Sequence, residues 1–320
     1  MKKINQTLFD LLSILNDGQY HDGTTIGEQL NISRTAVWKM IKKLEDYAIA
    51  IDSVKGKGYC LKEPLYLLDE NVIKKYLHHN NTTIAIFETI DSTNHYLKQH
   101  HDVHVCLAEQ QTQGRGRLNR TWISPFGKNI YLSFAYNFKK DISELASLSL
   151  ITSLAIQKTL LPWVKPHTPL IKWPNDILCD DEKLAGSLIE IQAESNGFCR
   201  AIIGIGINVN MLDMDEIEQA WTSIYKLTGN IVDRNSLVAN LIDSLFESLI
   251  CFENDGDEDF IRKWRECDYL KDQVITFNSG NQTITGIARG INAKGQLLIE
   301  DNQGNITTYS SGDASLLRKV

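Results

Sequence analysis

The stretch Gln110-Gln111-Thr112-Gln113-Gly114-Arg115-Gly116-Arg117-Leu118-Asn119-Arg120-Thr121-Trp122 gathers three arginines around two glycines. Gly114 and Gly116 let the backbone come close to a ligand. Arg115, Arg117 and Arg120 offer guanidinium forks to phosphate or carboxylate. The stretch has no Gly-Lys-Ser/Thr, so it is not a P-loop. It lacks the third glycine and following helix of a dinucleotide fingerprint. Taken alone it also fits an exposed basic loop, so its neighbours decide.

Upstream, residues 84–87 read as a strand leading into Asp91-Ser92-Thr93-Asn94, a cluster of short polar side chains at a helix start. Free N–H groups and hydroxyls at such a point suit a neutral polar ligand head, and equally an ordinary cap. Residues 103–109 read as the strand entering the loop. Downstream, Ser124-Pro125-Phe126-Gly127-Lys128-Asn129 leads into a strand over 130–136, and a helix covers roughly 144–161. Then come Ile171-Lys172-Trp173-Pro174-Asn175-Asp176-Ile177, Lys183-Leu184-Ala185-Gly186-Ser187-Leu188-Ile189-Glu190 and Ile202-Ile203-Gly204-Ile205-Gly206-Ile207-Asn208-Val209-Asn210. Helices over 236–249 and 259–267 close this body. From Leu270 short strands alternate with turns at 278–281, 292–295 and 301–305.

The N-terminal stretch is different in kind. Leu8, Leu11, Leu12 and Leu15 lie on one helical face, and Gly18 supplies a left-handed stop. Thr24 or Thr25 caps a second helix running to Leu30. Ser33 caps a third that buries Val37, Ile41, Leu44 and Ala48 and presents Arg34, Thr35, Trp38, Lys39, Lys42 and Lys43. Two apolar stretches, 49–54 and 59–61, flank Lys55-Gly56-Lys57-Gly58 as a hairpin with a basic turn. This order resembles a winged helix-turn-helix, which places its third helix in the major groove and its wing on phosphate. A three-helix module whose basic face serves only protein contacts is the competing reading. Trp38 either packs beneath the module or touches DNA. One module makes few phosphate contacts, so a symmetric dimer on a two-part operator is expected. Lys62-Glu63-Pro64 reads as the linker.

Charge follows the same division. Residues 1–62 hold nine Lys/Arg against seven Asp/Glu, while the 320-residue chain as a whole carries −7. A small basic module is thus joined to an acidic body, which excludes a protein that coats nucleic acid over its whole surface. With 42% hydrophobic and 23% charged residues the chain is folded rather than disordered, and long enough for two or three domains. The longest apolar runs, such as 202–207, are too short to span a membrane, and no apolar signal core follows Lys2 and Lys3. Six scattered cysteines without a CxxC pair suit reduced thiols and a cytoplasmic location. His100, His101 and His104 read as surface residues rather than metal ligands.

The motifs DSTN, GRGR, SPFGKNIYLS, KWPND, KLAGSLIE and GIGINVN, in this order, are together similar to the biotin protein ligase family. With the winged helix in front, the chain resembles its bifunctional ligase–repressor class. The resemblance implies an α+β chain of three parts. These are a winged helix-turn-helix DNA-binding domain over 1–63, a mixed α/β catalytic domain of the biotin/lipoate ligase type over 64–268, and a small C-terminal β-barrel over 269–320, in which Arg318 is the residue to watch. It implies ATP with Mg²⁺ and biotin as reactants, biotinyl-5'-AMP as intermediate and corepressor, and a biotin carboxyl carrier protein, operator DNA and a second copy of the chain as partners.

Residue by residue, the resemblance assigns Ser92, Thr93, Asn94, Gln111, Gly114, Arg115, Gly116, Arg117, Lys183 and Gly186 to biotin. It assigns Arg117, Arg120, Trp122, Lys172, Asn175, Asp176, Asn208 and Trp221 to the nucleotide, with the Mg²⁺ ligands unassigned. Lys183, Arg117 and Arg115 are the expected catalytic groups, and Ser33, Arg34, Thr35, Lys39, Lys42, Lys55 and Lys57 the expected DNA contacts. For Trp122 and Trp221, packing in the core competes with an adenine wall. The family loop commonly reads GRGRRG; Leu118 and Asn119 depart from it and remove one positive charge, although Asn tolerates a left-handed backbone. Two other functions compete: a ligand-sensing regulator without catalysis, and a lipoate ligase.

Overall fold

The computed structural model describes residues 2–3, 5–79, 81–193, 199–280 and 282–317; Arg318 lies outside them. Strand β1 (Lys2–Lys3) precedes α1 (Gln6–Leu15), α2 (Gly23–Leu30), α3 (Arg34–Asp46) and the hairpin β2 (Ile51–Val54) and β3 (Gly58–Leu61). The amphipathic spacing explains α1, whose Leu8, Leu11, Leu12 and Leu15 are all buried. The cap of α2 is Asp22, not either threonine: its Oδ1 accepts from Thr24 N and Thr25 N at 2.8 and 3.2 Å. Ser33 does cap α3. That helix stops at Asp46, and Ala48 turns left-handed with φ 58° and faces solvent. Ile49, one residue later, takes the buried place expected of Ala48, because the left-handed residue breaks the helical register.

The body follows with α4 (Glu70–Tyr76), β4 (Ile84–Thr89), α5 (Thr93–Gln99), β5 (Val105–Ala108), β6 (Ile130–Phe138), α6 (Leu148–Leu160), β7 (Leu170–Lys172), β8 (Asp176–Cys179), β9 (Glu182–Ala193) and β10 (Cys199–Ile207). A separate 3-10 turn, Ile142–Leu145, takes the first part of the helix expected over 144–161. Next are α7 (Ile224–Thr228), α8 (Arg234–Asp255) and α9 (Glu258–Trp264). The strands form an eight-stranded sheet in the order β1-β4-β5-β6-β10-β9-β8-β7, antiparallel except for β4 and β5. Alternation divides its faces. Ile203, Ile205 and Ile207 of β10 join α6 and α8 in the large core. Ile202 joins Leu97 of α5 on the opposite face, and this second face carries the cavity described below. Helix α8 has the length and composition of a membrane span, but most of it is buried in this core, packed on α6 and α4.

The last strands are β11 (Val274–Ser279), β12 (Gln282–Ile291), β13 (Leu297–Glu300), β14 (Ile306–Tyr309) and β15 (Asp313–Leu316). They form an antiparallel sheet in the order β14-β13-β12-β11-β15, and among the described residues no ladder joins its two edges, so the expected closed barrel is absent. The edges are nonetheless joined by only Ser310, Ser311 and Gly312. Four Cα steps reach at most about 14 Å, whereas five flat strands span roughly 19 Å, so the sheet must curl. Its Ile275, Phe277, Ala288 and Leu297 belong to the same buried cluster as α6 and α8. The indole N–H of Trp173, in the KWPND motif, donates to Gly295 O at 3.1 Å. That motif therefore holds the C-terminal sheet as well as lining the site.

The N-terminal module is also anchored. Strand β1 pairs with β4 at the edge of the large sheet. Phe126, from the ligase body, is buried among Leu8, Val37, Ile41 and Leu44. The segment just after the linker is fixed by Arg234, which is buried against Glu109 at 2.7 Å and donates to Tyr66 O.

Candidate active site

The turn after β4, the 111–123 loop, β9, β10 and the turn between β14 and β15 surround a cavity of about 930 Å³. At one end Ser92 caps α5. Gln111 Oε1 accepts from the N–H and hydroxyl of Thr93 at 2.9 and 3.1 Å. Ser133 Oγ lies 2.7 Å from Thr93 Oγ1 and 2.6 Å from Asn94 Oδ1. Asn94 also donates to Glu190 Oε2 at 2.9 Å, contacts that fix its orientation in the cavity wall. Lys98 Nζ meets the other oxygen of Glu190 at 2.6 Å. Burial works against ionisation of Glu190, but the hydrogen bonds from Lys98 and Asn94 outweigh it and hold the carboxyl below its usual range.

Two glycines that sequence reasoning left unassigned make room for this arrangement. A Cβ on Gly204 would stand 2.4 Å from Asn94 Oδ1, and one on Gly206 2.3 Å from the Trp122 ring. Their signal was present in the sequence: two glycines two apart in a strand share one face.

Lys183 reaches the cavity through a break in alternation. Residue pairing between β8 and β9 runs Asp176–Gly186 and Ile177–Ala185, then slips to Leu178–Lys183. Leu184 is the extra residue, and it and Ala185 are both fully buried. In a regular strand Lys183 and Gly186 would face opposite sides; a bulge re-aims the side chain. Lys183 Nζ therefore sits 2.9 Å from Asp176 Oδ1 and 5.4 Å from the Trp122 ring centroid. A Cβ on Gly186 would lie 3.1 Å from Lys183 Cε.

The arginine loop curls on itself. Gly116 N donates to Arg120 O and Trp122 N to Gly114 O, at 2.7 and 2.9 Å. Leu118 and Asn119, the two departures from the family pattern, are both left-handed, with φ 54° and 59°. The turn survives without its glycine, with Leu118 held exposed in a conformation unfavourable to a branched side chain. Arg117 is half-buried and donates to Asn175 Oδ1 at 3.1 Å and to Gly312 O at 3.4 Å. Its burial draws its pKa downward, against the pull of Asp176 and Asp313. Arg120 pairs with Asp313 of the C-terminal sheet, while Arg115 faces solvent at the cavity rim.

Lys172, Asn175, Asp176, Asn208 and Trp221 all line the cavity. Asn208 is buried and donates to Lys183 O and Thr222 O at 3.3 and 3.0 Å, holding the Lys183 backbone in place. Trp221 is 9% exposed, with Lys226 Nζ 4.2 Å over its ring. Trp122 is half-buried. Both tryptophans are therefore packed and cavity-lining at once.

On the N-terminal module, Arg34, Thr35, Lys39 and Lys42 of α3 are exposed, as are Ser33 at its cap and Lys55 and Lys57 on the hairpin. Trp38 is 49% exposed, so it does not pack beneath the module. Lys43 turns away from this face and pairs with buried Glu88 of β4.

The chain is 37% identical over 312 residues to the bifunctional ligase/repressor BirA of Salmonella typhimurium, covering 96% of each protein. It is 35% identical over 320 residues to BirA of Escherichia coli, covering 98% of each. Profiles of an HTH domain, the Biotin/lipoate A/B protein ligase family and the Biotin protein ligase C terminal domain match residues 7–60, 86–208 and 272–317. Among solved structures, biotin protein ligase from Aquifex aeolicus in complex with biotin and ATP superposes with a TM-score of 0.65 and 31% identity. That match covers 74% of this chain and 99% of that one. The chain belongs to the biotin protein ligase family, in its bifunctional class of ligase and repressor.

Proposed function

We propose that the cavity joins the carboxylate of biotin to AMP and then passes biotin to a lysine of a carboxyl carrier protein. The observation that carries this reading is that the β9 bulge turns Lys183 into the same cavity that Thr93, Gln111, Arg117 and Asn175 line. In the first step a biotin carboxylate oxygen attacks the α-phosphorus of ATP and the bond to pyrophosphate breaks. In the second the carrier amine attacks the acyl carbon and AMP leaves. The obstacle is repulsion between anions: two unit charges ~4 Å apart repel by about 4 kcal/mol at an effective dielectric near 20. Lys183, Arg117 and Arg115 offset it, most strongly as charge builds in the transition state.

Ser92, Thr93 and Gln111 suit the uncharged biotin head, with Asn94 and Glu190 holding their frame. Gly116 and Gly186 line the cavity and leave room for the ligand's approach, whereas Gly114 lets the loop close on itself, since a Cβ there would stand 2.4 Å from Trp122 O. Arg120, Trp122, Lys172, Asn175, Asp176, Asn208 and Trp221 form the nucleotide side. Lys183 and Arg120 are already paired with Asp176 and Asp313, so the triphosphate exchanges one anion for another at both. Among the described residues no His/Cys/Asp/Glu trio gathers to hold a metal. This fits Mg²⁺, which is held largely by phosphates with one or two protein carboxylates. Asp176 and Asp313 are carboxylates on that wall, and the ion would neutralise triphosphate charge.

The chain divides functionally at 1–63, 64–268 and 269–320, and acts in the cytoplasm, where its six free cysteines stay reduced. Biotinyl-5'-AMP acts as corepressor: ordering the arginine loop around it favours a homodimer, which binds a two-part operator through Ser33, Arg34, Thr35, Lys39, Lys42, Lys55 and Lys57. Support comes from the chain path, since only three residues separate Trp122 from Phe126, inside the DNA module's core.

Mixing the protein with ATP, Mg²⁺, labelled biotin and a carrier domain tests the ligase. Pyrophosphate and labelled carrier are expected; neither would appear from a regulator without catalysis. Footprinting an operator with and without biotin and ATP tests the corepressor, and equal occupancy would remove it.

A further inference from the structure

Helix α3 buries Val37, Ile41 and Leu44. At 100° per residue, Thr35, Lys39 and Lys42 point away from that buried stripe, with Trp38 beside them, one turn from Thr35 and one from Lys42. Its indole stands 49% exposed on the free side of the helix. Among the described residues no ring contact holds it to the module; the stacked pair Tyr47 and Phe126 lies at the far end of α3. A large apolar side chain thus stands among a hydroxyl and two ammonium groups on the outer face of the helix that a module of this type presents to DNA.

We propose that Trp38 is a specificity-determining contact to the methyl group of thymine in the major groove of the operator. This rests on the DNA-binding reading above and deepens it. Lysines at these positions serve phosphate or guanine. An indole has no charge for phosphate and one N–H donor, but a broad apolar surface. The only apolar group on the major-groove edge of a base pair is the thymine C5-methyl. Burying the indole against it removes apolar area from water on both partners. Glu45, one turn after Lys42, is paired with it, and Asp46 follows. With Lys43 of the same turn drawn off to Glu88, the C-terminal turn of α3 presents only acidic groups and is poorly suited to the groove, which confines base contacts to the part of the helix holding Thr35, Trp38 and Lys39.

The test uses the full-length chain with biotin, ATP and Mg²⁺ to enrich a binding site from a pool of random duplexes. Each thymidine of the enriched duplex is then replaced by deoxyuridine, which lacks only the methyl. The expected result is that one thymine per half-site, replaced in this way, weakens binding by about 5-fold or more, the lower end of the cost of a wrong base. Trp38→Ala is expected to weaken binding to the thymidine duplex similarly. It should bind the deoxyuridine duplex no worse than its thymidine counterpart, and its dependence on salt should keep the same slope, since no phosphate contact is lost. Its thermal midpoint reports that the exposed substitution leaves the fold intact. If every uridine duplex affected wild type and Trp38→Ala alike, or if the variant changed only the salt slope, the methyl contact would be wrong while DNA binding stood. If the wild-type chain enriched no sequence, the DNA-binding reading would fall and this inference with it.

Discussion

Tyr47, the residue that ends helix α3, stacks face to face on Phe126, with ring centroids 4.2 Å apart and planes 2° from parallel. The Tyr47 hydroxyl also donates to buried Glu88 at 2.6 Å. One ring closes the third helix of the N-terminal module. The other sits four residues beyond Trp122 of the arginine loop. Helix α3 is therefore packed against the base of the arginine loop.

Phe126→Ala removes a side chain from the core of the N-terminal module and from this stack. Truncations of this kind cost about 3–5 kcal/mol. Denaturant unfolding is expected to show a loss of that size in the module. Limited proteolysis should cut near residues 62–65, where wild type resists. Unchanged resistance would mean that β1 and the Arg234–Glu109 pair hold the module unaided.

Lys183→Ala removes the ammonium group that the bulge delivers. Adenylation, read as pyrophosphate release, should fall about 100- to 1,000-fold, the usual effect of losing one donor to developing charge. Lys183→Arg should recover only part of it, because a planar fork does not replace a compact ammonium group beside Asp176.

Gly204→Ala and Gly206→Ala place a methyl group against Asn94 and Trp122 respectively. Overpacking of this kind costs about 1–3 kcal/mol. Calorimetry should show weakened biotin uptake for both. Gly206→Ala should also displace the Trp122 ring, seen as altered indole fluorescence. Normal affinity in both variants would show that neither neighbour shapes the site.

Glu190 gives a pH-dependent readout. Its carboxyl is held below the ordinary value of 4.5 in the folded chain, so the folded state favours the ionised form. That stabilisation is present above the unfolded value and is lost as pH falls through the folded one. The difference in thermal midpoint between wild type and Glu190→Gln should therefore be constant near neutrality and shrink below pH 4.5. A difference that grew on acidification would place the carboxyl in an environment that favours its protonated form.

The sequence by itself determined the order of the parts. Leucines at helical spacing, the cap at Ser33 and a glycine-permitted hairpin are local features, and local physics reads them. The motif set, matched as a whole, gave the family and the side chains around the cavity. Only the tertiary structure decided which of those side chains face the substrates. Whether Lys183 points into the cavity depends on a slip in pairing between β8 and β9, a relation between two strands that no spacing along one of them encodes. Asn94 was expected to touch biotin; it lines the cavity, and the partners that orient it there, Ser133 and Glu190, lie 39 and 96 residues away. The C-terminal strands formed as expected, but closure into a barrel requires hydrogen bonds between the two edge strands, and their pairing is set by the curl of the sheet rather than by alternation within any strand.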